Sequence, residues 1–176
     1  MPDVRLALPD LAATEALGAR LAALARPGDA VLLEGPLGAG KSALARALLR
    51  ALAGDPTLEV PSPTFTLVQS YATPRGPAHH FDLYRLAGPD GLHELGWDEA
   101  REGIVLVEWP DRLGPLAPEG ALRVALIPMP EPPPGAHPGA HPGAPPSARP
   151  SAAPPGAPIS GEARQAALSG WADRLA

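Results

Sequence analysis

Apolar and polar positions alternate over Val4-Arg5-Leu6-Ala7-Leu8, the period-two pattern of a half-buried strand, and Pro9-Asp10 breaks it. Leu11, Leu17, Leu21 and Leu24 then recur at helical spacing through an alanine-rich stretch. Asp10 is placed to cap that helix and Arg26-Pro27-Gly28-Asp29 to end it. Ala30-Val31-Leu32-Leu33 is a short unbroken apolar run between turn signals, which reads as a buried strand. A glycine-rich turn follows at once, and Ser42 to Ala53 is built of strong helix formers stopped by Gly54-Asp55-Pro56.

The same reading predicts strands over Phe65 to Tyr71 and His79 to Leu83, separated by the turn material Thr73-Pro74-Arg75-Gly76-Pro77. A short helix is expected over Leu92 to Arg101, a second buried strand over Ile104-Val105-Leu106-Val107, and a last strand over Leu122 to Ile127. This order predicts an α/β fold: one domain over residues 1–127 with a mixed central sheet flanked by helices, neither an all-parallel sheet nor a sandwich. A chain of 176 residues suffices for one such core.

Beyond Pro128 the composition changes. Residues 128–160 contain 13 of the 26 prolines, interleaved with Gly, Ala and His, and so bury too little apolar surface to offset the entropy of ordering. A flexible or polyproline-like segment is expected there. His137 and His141 lie four apart in it, but no acidic or sulfur ligand accompanies them as a metal site would require. Residues 161–176 read as a short amphipathic helix exposing Leu168, Trp171 and Leu175 as a docking stripe, with a frayed end as the alternative.

Charge narrows the choice of partners. The formal net charge is -5; up to Pro128 there are 16 acidic and 11 basic residues, and the remainder has 3 of each. The acidic excess belongs to the folded part, so any nucleic-acid contact must be local or supplied by a partner. The absence of cysteine excludes disulfides and thiolate metal sites. No leader-like or membrane-spanning apolar run is present, which makes no membrane partner and a cytoplasmic location the expectation.

The chemistry is concentrated at Gly35-Pro36-Leu37-Gly38-Ala39-Gly40-Lys41-Ser42, which satisfies the phosphate-loop pattern G-x-x-x-x-G-K-[ST] between a predicted buried strand and a predicted helix. Glycines there let backbone N–H groups point inward, and the helix N-terminus adds positive potential. Lys41, the only lysine in the chain, would reach the β- and γ-phosphates, and the Ser42 hydroxyl would ligate Mg²⁺. A hard cation also wants carboxylates. Glu108 follows the strand 104–107 at its carboxyl end, placed to hold Mg²⁺ or to orient water, with a plain strand-end carboxylate as the competing reading. Asp82 ends the His79-His80-Phe81 element and would complete the metal shell or position water; a turn aspartate is its bland alternative. Thr64, within Ser62-Pro63-Thr64-Phe65-Thr66, would sense a γ-phosphate as a switch does, or belong to an ordinary Ser-Pro turn. Trp109 reads as packing, and His79 and His80 as structural.

In combination these blocks closely resemble the TsaE (YjeE) family, the ATPase component of bacterial tRNA threonylcarbamoyladenosine biosynthesis. The matching runs are Leu33 to Ser42, Ser62 to Val68, His80-Phe81-Asp82-Leu83-Tyr84-Arg85-Leu86 and Val107-Glu108-Trp109-Pro110, with Thr14 and Gly28-Asp29. The resemblance implies a small α/β domain that binds and hydrolyses ATP with Mg²⁺ and acts with the TsaB and TsaD proteins. That partner complex transfers the threonylcarbamoyl group to adenosine 37 of tRNA, so tRNA is met only indirectly. It also implies nucleotide contacts at Thr14, Pro36, Leu37, Gly38, Ala39, Gly40, Lys41, Ser42 and Ala43, metal contacts at Ser42, Glu108 and Asp82, and catalytic roles for Lys41, Asp82, Glu108 and Thr64. Two features depart from the family: Pro36 stands where Asp or Asn is common, and the tail beyond Pro128 is extra and expected to be removable without loss of the nucleotide site. A small-molecule kinase fits less well, since the segments after the loop are short and basic residues sparse. A non-enzymatic adaptor whose nucleotide state controls binding is the third reading.

Overall fold

The computed structural model describes residues 4–129, 163–171 and 173–175. Among them, seven strands form one mixed sheet: β1 (Val4–Leu8), β2 (Ala30–Glu34), β3 (Val68–Thr73), β4 (Gly76–Asp82), β5 (Ile104–Glu108), β6 (Leu122–Pro128) and β7 (Arg164–Ser169). Their order across the sheet is β1-β7-β6-β2-β5-β4-β3. The central four, β6, β2, β5 and β4, are parallel, so their carboxyl ends emerge on one side; β3 and β7 pair antiparallel with their neighbours.

The apolar runs read as buried strands divide their side chains by parity between two cores. Val31, Leu33, Ile104 and Leu106 face α1 (Leu11–Leu24) and α2 (Lys41–Ala53), while Ala30, Leu32, Val105 and Val107 face Phe81, Leu92 and Trp97 on the other side. Strands buried on both faces have no polar position to lose, which is why β2 and β5 read as continuous hydrophobic runs. The Asp10 carboxylate accepts from Ala13 N at 2.8 Å and caps α1, as its sequence position indicates. At the far end, Arg75 in the β3–β4 turn donates to the carbonyls of Ala22 and Ala25 at 2.8 and 3.0 Å, satisfying acceptors that a helix terminus leaves open.

Besides β4, which begins at Gly76 and not at His79, three elements differ from the sequence reading. β3 begins at Val68 and not at Phe65, because Leu67 adopts φ 64 and closes a turn from its N–H to Pro63 O at 2.7 Å. Phe65 is left 82% exposed. The helix expected over Leu92 to Arg101 is cut by Gly96 at φ 70 into a 3-10 segment over Pro89–Leu95 and a four-residue helix α3 (Trp97–Ala100).

The third difference concerns the C-terminus. Within residues 161–176 the structure has a strand, β7, where a helix is expected, and that strand lies between β1 and β6. The Leu168, Trp171, Leu175 spacing fits a helical stripe, but Ala166 and Leu168 share period-two parity, and the sheet supplies two ladders that a lone helix would lack. Leu168 and Trp171 are buried in the α1/α2 core, so they are not a docking surface. The folded unit therefore reaches past residue 127, and β1 joins the sheet only through β7. Arg174 clamps this end by a two-pronged pair to Asp29 at 2.6 and 3.0 Å. The segment expected to be flexible, 128–160, lies outside the described residues from 130 onward.

The tail is thus not dispensable to the fold. Leu168→Ala, at a position 1% exposed, is expected to cost about 2–5 kcal/mol in urea unfolding. A chain ended at residue 129 should lose the cooperative transition of the full chain; equal stability of the two would contradict the role given to β7.

Candidate phosphate-loop site

The carboxyl end of β2 leads into residues 35–40, and α2 starts at Lys41 with Gly40 as its N-cap at φ 98, a backbone setting that L side chains rarely adopt. Leu37, Gly38, Gly40, Lys41, Ser42 and Ala43 line one wall of an open cleft of about 340 Å³. Ala39 is buried beneath the loop, and its N–H donates to Pro36 O at 3.2 Å. Pro36 and Trp109 line a neighbouring hollow. Thr14 does not line the cleft: its side chain is fully buried in α1, and its hydroxyl donates to Asp10 O at 3.2 Å.

Parallel pairing sets the opposite wall. β4 and β5 align Asp82 with Glu108, and both side chains emerge at the strand ends on the side of α2. Glu108 Oε2 accepts from the Ser42 hydroxyl at 3.0 Å. Asp82 Oδ2 accepts from Thr64 Oγ1 at 3.0 Å, and its Oδ1 accepts from Tyr84 N at 3.1 Å. Asp82 thus makes the backbone contact of a turn aspartate after β4, and it also holds the Thr64 segment to the cleft, a link that the sequence reading did not include. Both carboxyl groups are nearly buried, at 4% and 3% exposure.

Lys41 is the cation that faces them. Its ammonium donates to Gly35 O and Pro36 O at 2.7 and 2.8 Å and lies 4.0 Å from the centre of the Trp109 ring. Burial lowers its pKa below the usual lysine value, and Glu108 and Asp82 oppose that shift. Trp109 is thus more than packing: at φ 60 it turns its ring onto Lys41 and against Tyr84, centroids 5.0 Å apart. The unusual backbone at Trp109 has no signature in the sequence, although its place after Glu108 put it beside the site.

His80 is the other residue that sequence reasoning underrated. It shares strand parity with Asp82, and its buried Nε2 lies 2.9 Å from Glu108 Oε1. Since a carboxylate only accepts, Nε2 donates, leaving Nδ1 as the nitrogen without a partner among the described residues. Glu108 is consequently held from two sides, by Ser42 and by His80. His79 points elsewhere: its Nδ1 lies 2.9 Å from the Ser70 hydroxyl, and burial lowers its pKa.

The donor set tests the expected metal. One hydroxyl and two carboxylates, all oxygen, suit a hard divalent cation such as Mg²⁺, which takes its remaining ligands from phosphate and water. Among the described residues no group of three or more His, Cys, Asp or Glu could hold a metal ion by itself. Replacing His80 by Leu is expected to leave a buried Glu108 oxygen unsatisfied and to lower unfolding stability by about 1–3 kcal/mol. His80→Gln, which restores a donor, should lose less, and the two denaturation midpoints decide the matter.

The family model described as "Threonylcarbamoyl adenosine biosynthesis protein TsaE" matches residues 8–131. Proteins named tRNA threonylcarbamoyladenosine biosynthesis protein TsaE are similar to the chain. The one from Nostoc sp. is 39% identical over 127 residues, covering 69% of this chain and 76% of that protein. The one from Bacillus subtilis is 36% identical over 115 residues, covering 64% and 70%. The one from Rickettsia felis is 42% identical over 99 residues, 56% of this chain and 57% of its own, so the match spans little more than half of that relative. The crystal structure of Bacillus subtilis YdiB superposes with a TM-score of 0.66 at 22% identity, covering 98% of this chain and 88% of that one, a likeness of fold. With the family model matching well over half of its length, the chain belongs to the TsaE family of threonylcarbamoyl adenosine biosynthesis proteins.

Proposed function

We propose that this chain is the Mg²⁺-dependent ATP-binding and ATP-hydrolysing component of tRNA threonylcarbamoyladenosine formation, acting with the TsaB-TsaD complex and not itself transferring the threonylcarbamoyl group. The observation that carries the reading is the convergence of Ser42, Glu108, Asp82 and Lys41 on one cleft, with Ser42 Oγ and Glu108 Oε2 3.0 Å apart. Two carboxyl groups beside one ammonium leave the cleft short of positive charge, which a divalent cation would offset, while a triphosphate would be met by the loop N–H groups and Lys41. The relatives' printed role in tRNA threonylcarbamoyladenosine biosynthesis supports the pathway.

In this reading the backbone N–H groups of residues 38–42 cradle phosphate oxygens at the start of α2. Lys41, already oriented by two loop carbonyls and the Trp109 ring, supplies a fixed positive charge to the β- and γ-phosphates. Ser42 and Glu108 would hold magnesium, which when bound neutralises charge developing on the transferred phosphoryl group. Glu108, fixed by His80, and Asp82, fixed by Tyr84 N, are the candidates to orient water. Thr64, bonded to Asp82, carries a change at the γ-phosphate into the exposed segment around Phe65. Preorganisation of this kind lowers the barrier because the dipoles need no rearrangement during reaction. No helix of the described residues is long and apolar enough to cross a membrane, and a cytoplasmic site of action suits a tRNA substrate met through partners.

Phosphate release from ATP, measured with and without purified TsaB-TsaD, tests the proposal. The wild-type chain should turn over ATP only with Mg²⁺ and faster with the partners. Lys41→Ala should lose nucleotide affinity, whereas Glu108→Gln should still bind and hydrolyse about 100-fold more slowly. Absence of magnesium-dependent nucleotide affinity in the folded wild type, alone or with partners, would overturn it, and phosphate passed to a metabolite instead of water would mark a kinase.

A further inference from the structure

β1 closes one side of the sheet. Among the described residues it pairs with β7 alone, so the N–H and C=O groups along its other edge meet no strand. Such edges are usually blunted by proline, lysine, a bulge or a covering element, but Val4-Arg5-Leu6-Ala7-Leu8 has no proline and Arg5 as its one charge. Val4 and Leu6 turn toward the α1/α2 core and are left half-buried. Between them and α1 lies a hollow of about 320 Å³, with Leu17, Leu24 and Leu175 in its apolar wall.

The rim of that hollow is positive. Arg20 and Arg174 line it, and an adjoining hollow of about 480 Å³, which shares Ala23, Leu24 and Arg174, is lined also by Arg26 and Arg75. Neither hollow is lined by Asp or Glu. Asp29 is taken by Arg174 in its two-pronged pair, and Asp173 also attracts Arg174. Arg75 and Arg174 bond to carbonyls at the end of α1, where a helix carries only about half a negative charge. Arg5, Arg20 and Arg26 are exposed and make no ion pair among the described residues. In a chain of net charge -5, this end of α1 is therefore locally cationic.

An open strand edge, an apolar trough and an arginine rim in one place suit one kind of occupant. We propose that β1 is a docking edge for an extended acidic segment of a partner protein, which adds as a further strand beside β1, sets apolar side chains in the trough against Val4 and Leu6, and brings carboxylates to Arg20 and Arg26. Main-chain bonds give such a contact its affinity and alternate side chains its specificity, while the planar fork of arginine matches a carboxylate. Two other occupants fit less well. The chain's own residues 130–162 hold two acids, Glu131 and Glu162, and are dense in prolines, which have no N–H to give a ladder. A second copy would bring the same arginines face to face, since a two-fold contact uses one patch on both partners. The arginine rim stands by Asp29, at the start of β2, whereas the phosphate loop rises from the other end of that strand, so the assignment does not rest on the nucleotide reading.

Blocked peptides titrated into the ¹⁵N-labelled full chain test the proposal, with amide shifts and hydrogen exchange followed over Val4–Leu8. One peptide alternates valine with glutamate, a second has lysine in place of glutamate, and a third keeps the glutamates but is N-methylated throughout. Binding of the first alone, with slowed exchange along β1, is expected. Arg20→Gln should weaken it about threefold, and Arg20→Glu about tenfold, as an exposed ion pair is lost and then replaced by a repulsion. Both variants should keep the nucleotide affinity of the wild type. If an Arg20 variant fails to fold, comparison of the three peptides on the wild type decides alone. The proposal is overturned by no binding of the glutamate peptide, by equal binding of the lysine or methylated peptide, by binding that leaves exchange along β1 unaltered, or by full affinity in both variants. It falls too if single-stranded RNA binds this end more tightly than the acidic peptide, which marks a phosphate surface. Self-association in sedimentation that the peptide cannot displace marks an edge filled by a second copy and likewise overturns it.

Discussion

The parallel register of β4 and β5 is the constraint on which the site depends. It places Asp82 beside Glu108 at the mouth of the sheet, where two nearly buried carboxyl groups face one lysine. Such an arrangement is expensive unless each group is anchored, and each is: Glu108 by Ser42 and His80, Asp82 by Thr64 and the Tyr84 amide, Lys41 by two carbonyls and a ring. Slip of one residue between β4 and β5 would point one of the two carboxylates into the opposite core.

The sheet divides its labour around β2. Toward β5, β4 and β3 lie the acidic groups and the Thr64 segment, whose exposed Phe65 is stacked by the Arg85 guanidinium 4.4 Å from the ring centre. Toward β6, β7 and β1 lies α1. Because the central strands are parallel, Ser42, Asp82 and Glu108 are all delivered by a strand or helix terminus at one end of the sheet, and the Thr64 segment joins them from the connection before β3.

Closing that second flank requires residues far apart in the chain. β7 returns after the proline-rich stretch to fill the gap between β1 and β6, and Arg174 ties it to Asp29, at the start of β2. A mainly surface pair would contribute little, but this one is largely enclosed, with both partners near 15% exposure, and Arg174 also stacks 4.1 Å over the Trp171 ring. Leu168 and Trp171 beneath it make the return strand part of the principal core.

Much of this was legible from residue order. Local signals suffice where a feature is local: Asp10 caps the helix after it, the apolar runs at β2 and β5 need burial on both faces, and the glycine spacing of residues 35–42 matches the phosphate-loop pattern between a strand and a helix. Position after a buried strand was likewise enough to single out Glu108 and Asp82. What the chain alone did not disclose depends on neighbours distant in sequence. Leu168, Trp171 and Leu175 fit a helical spacing while Ala166 and Leu168 share strand parity, and only the open edges of β1 and β6 choose the strand. His80 becomes the brace of Glu108, and Trp109 the seat of Lys41, through pairings and an uncommon backbone angle that no local pattern specifies. Thr14, matched in the sequence only by resemblance, is placed by the packing of α1, which buries its side chain and points its hydroxyl at Asp10 O.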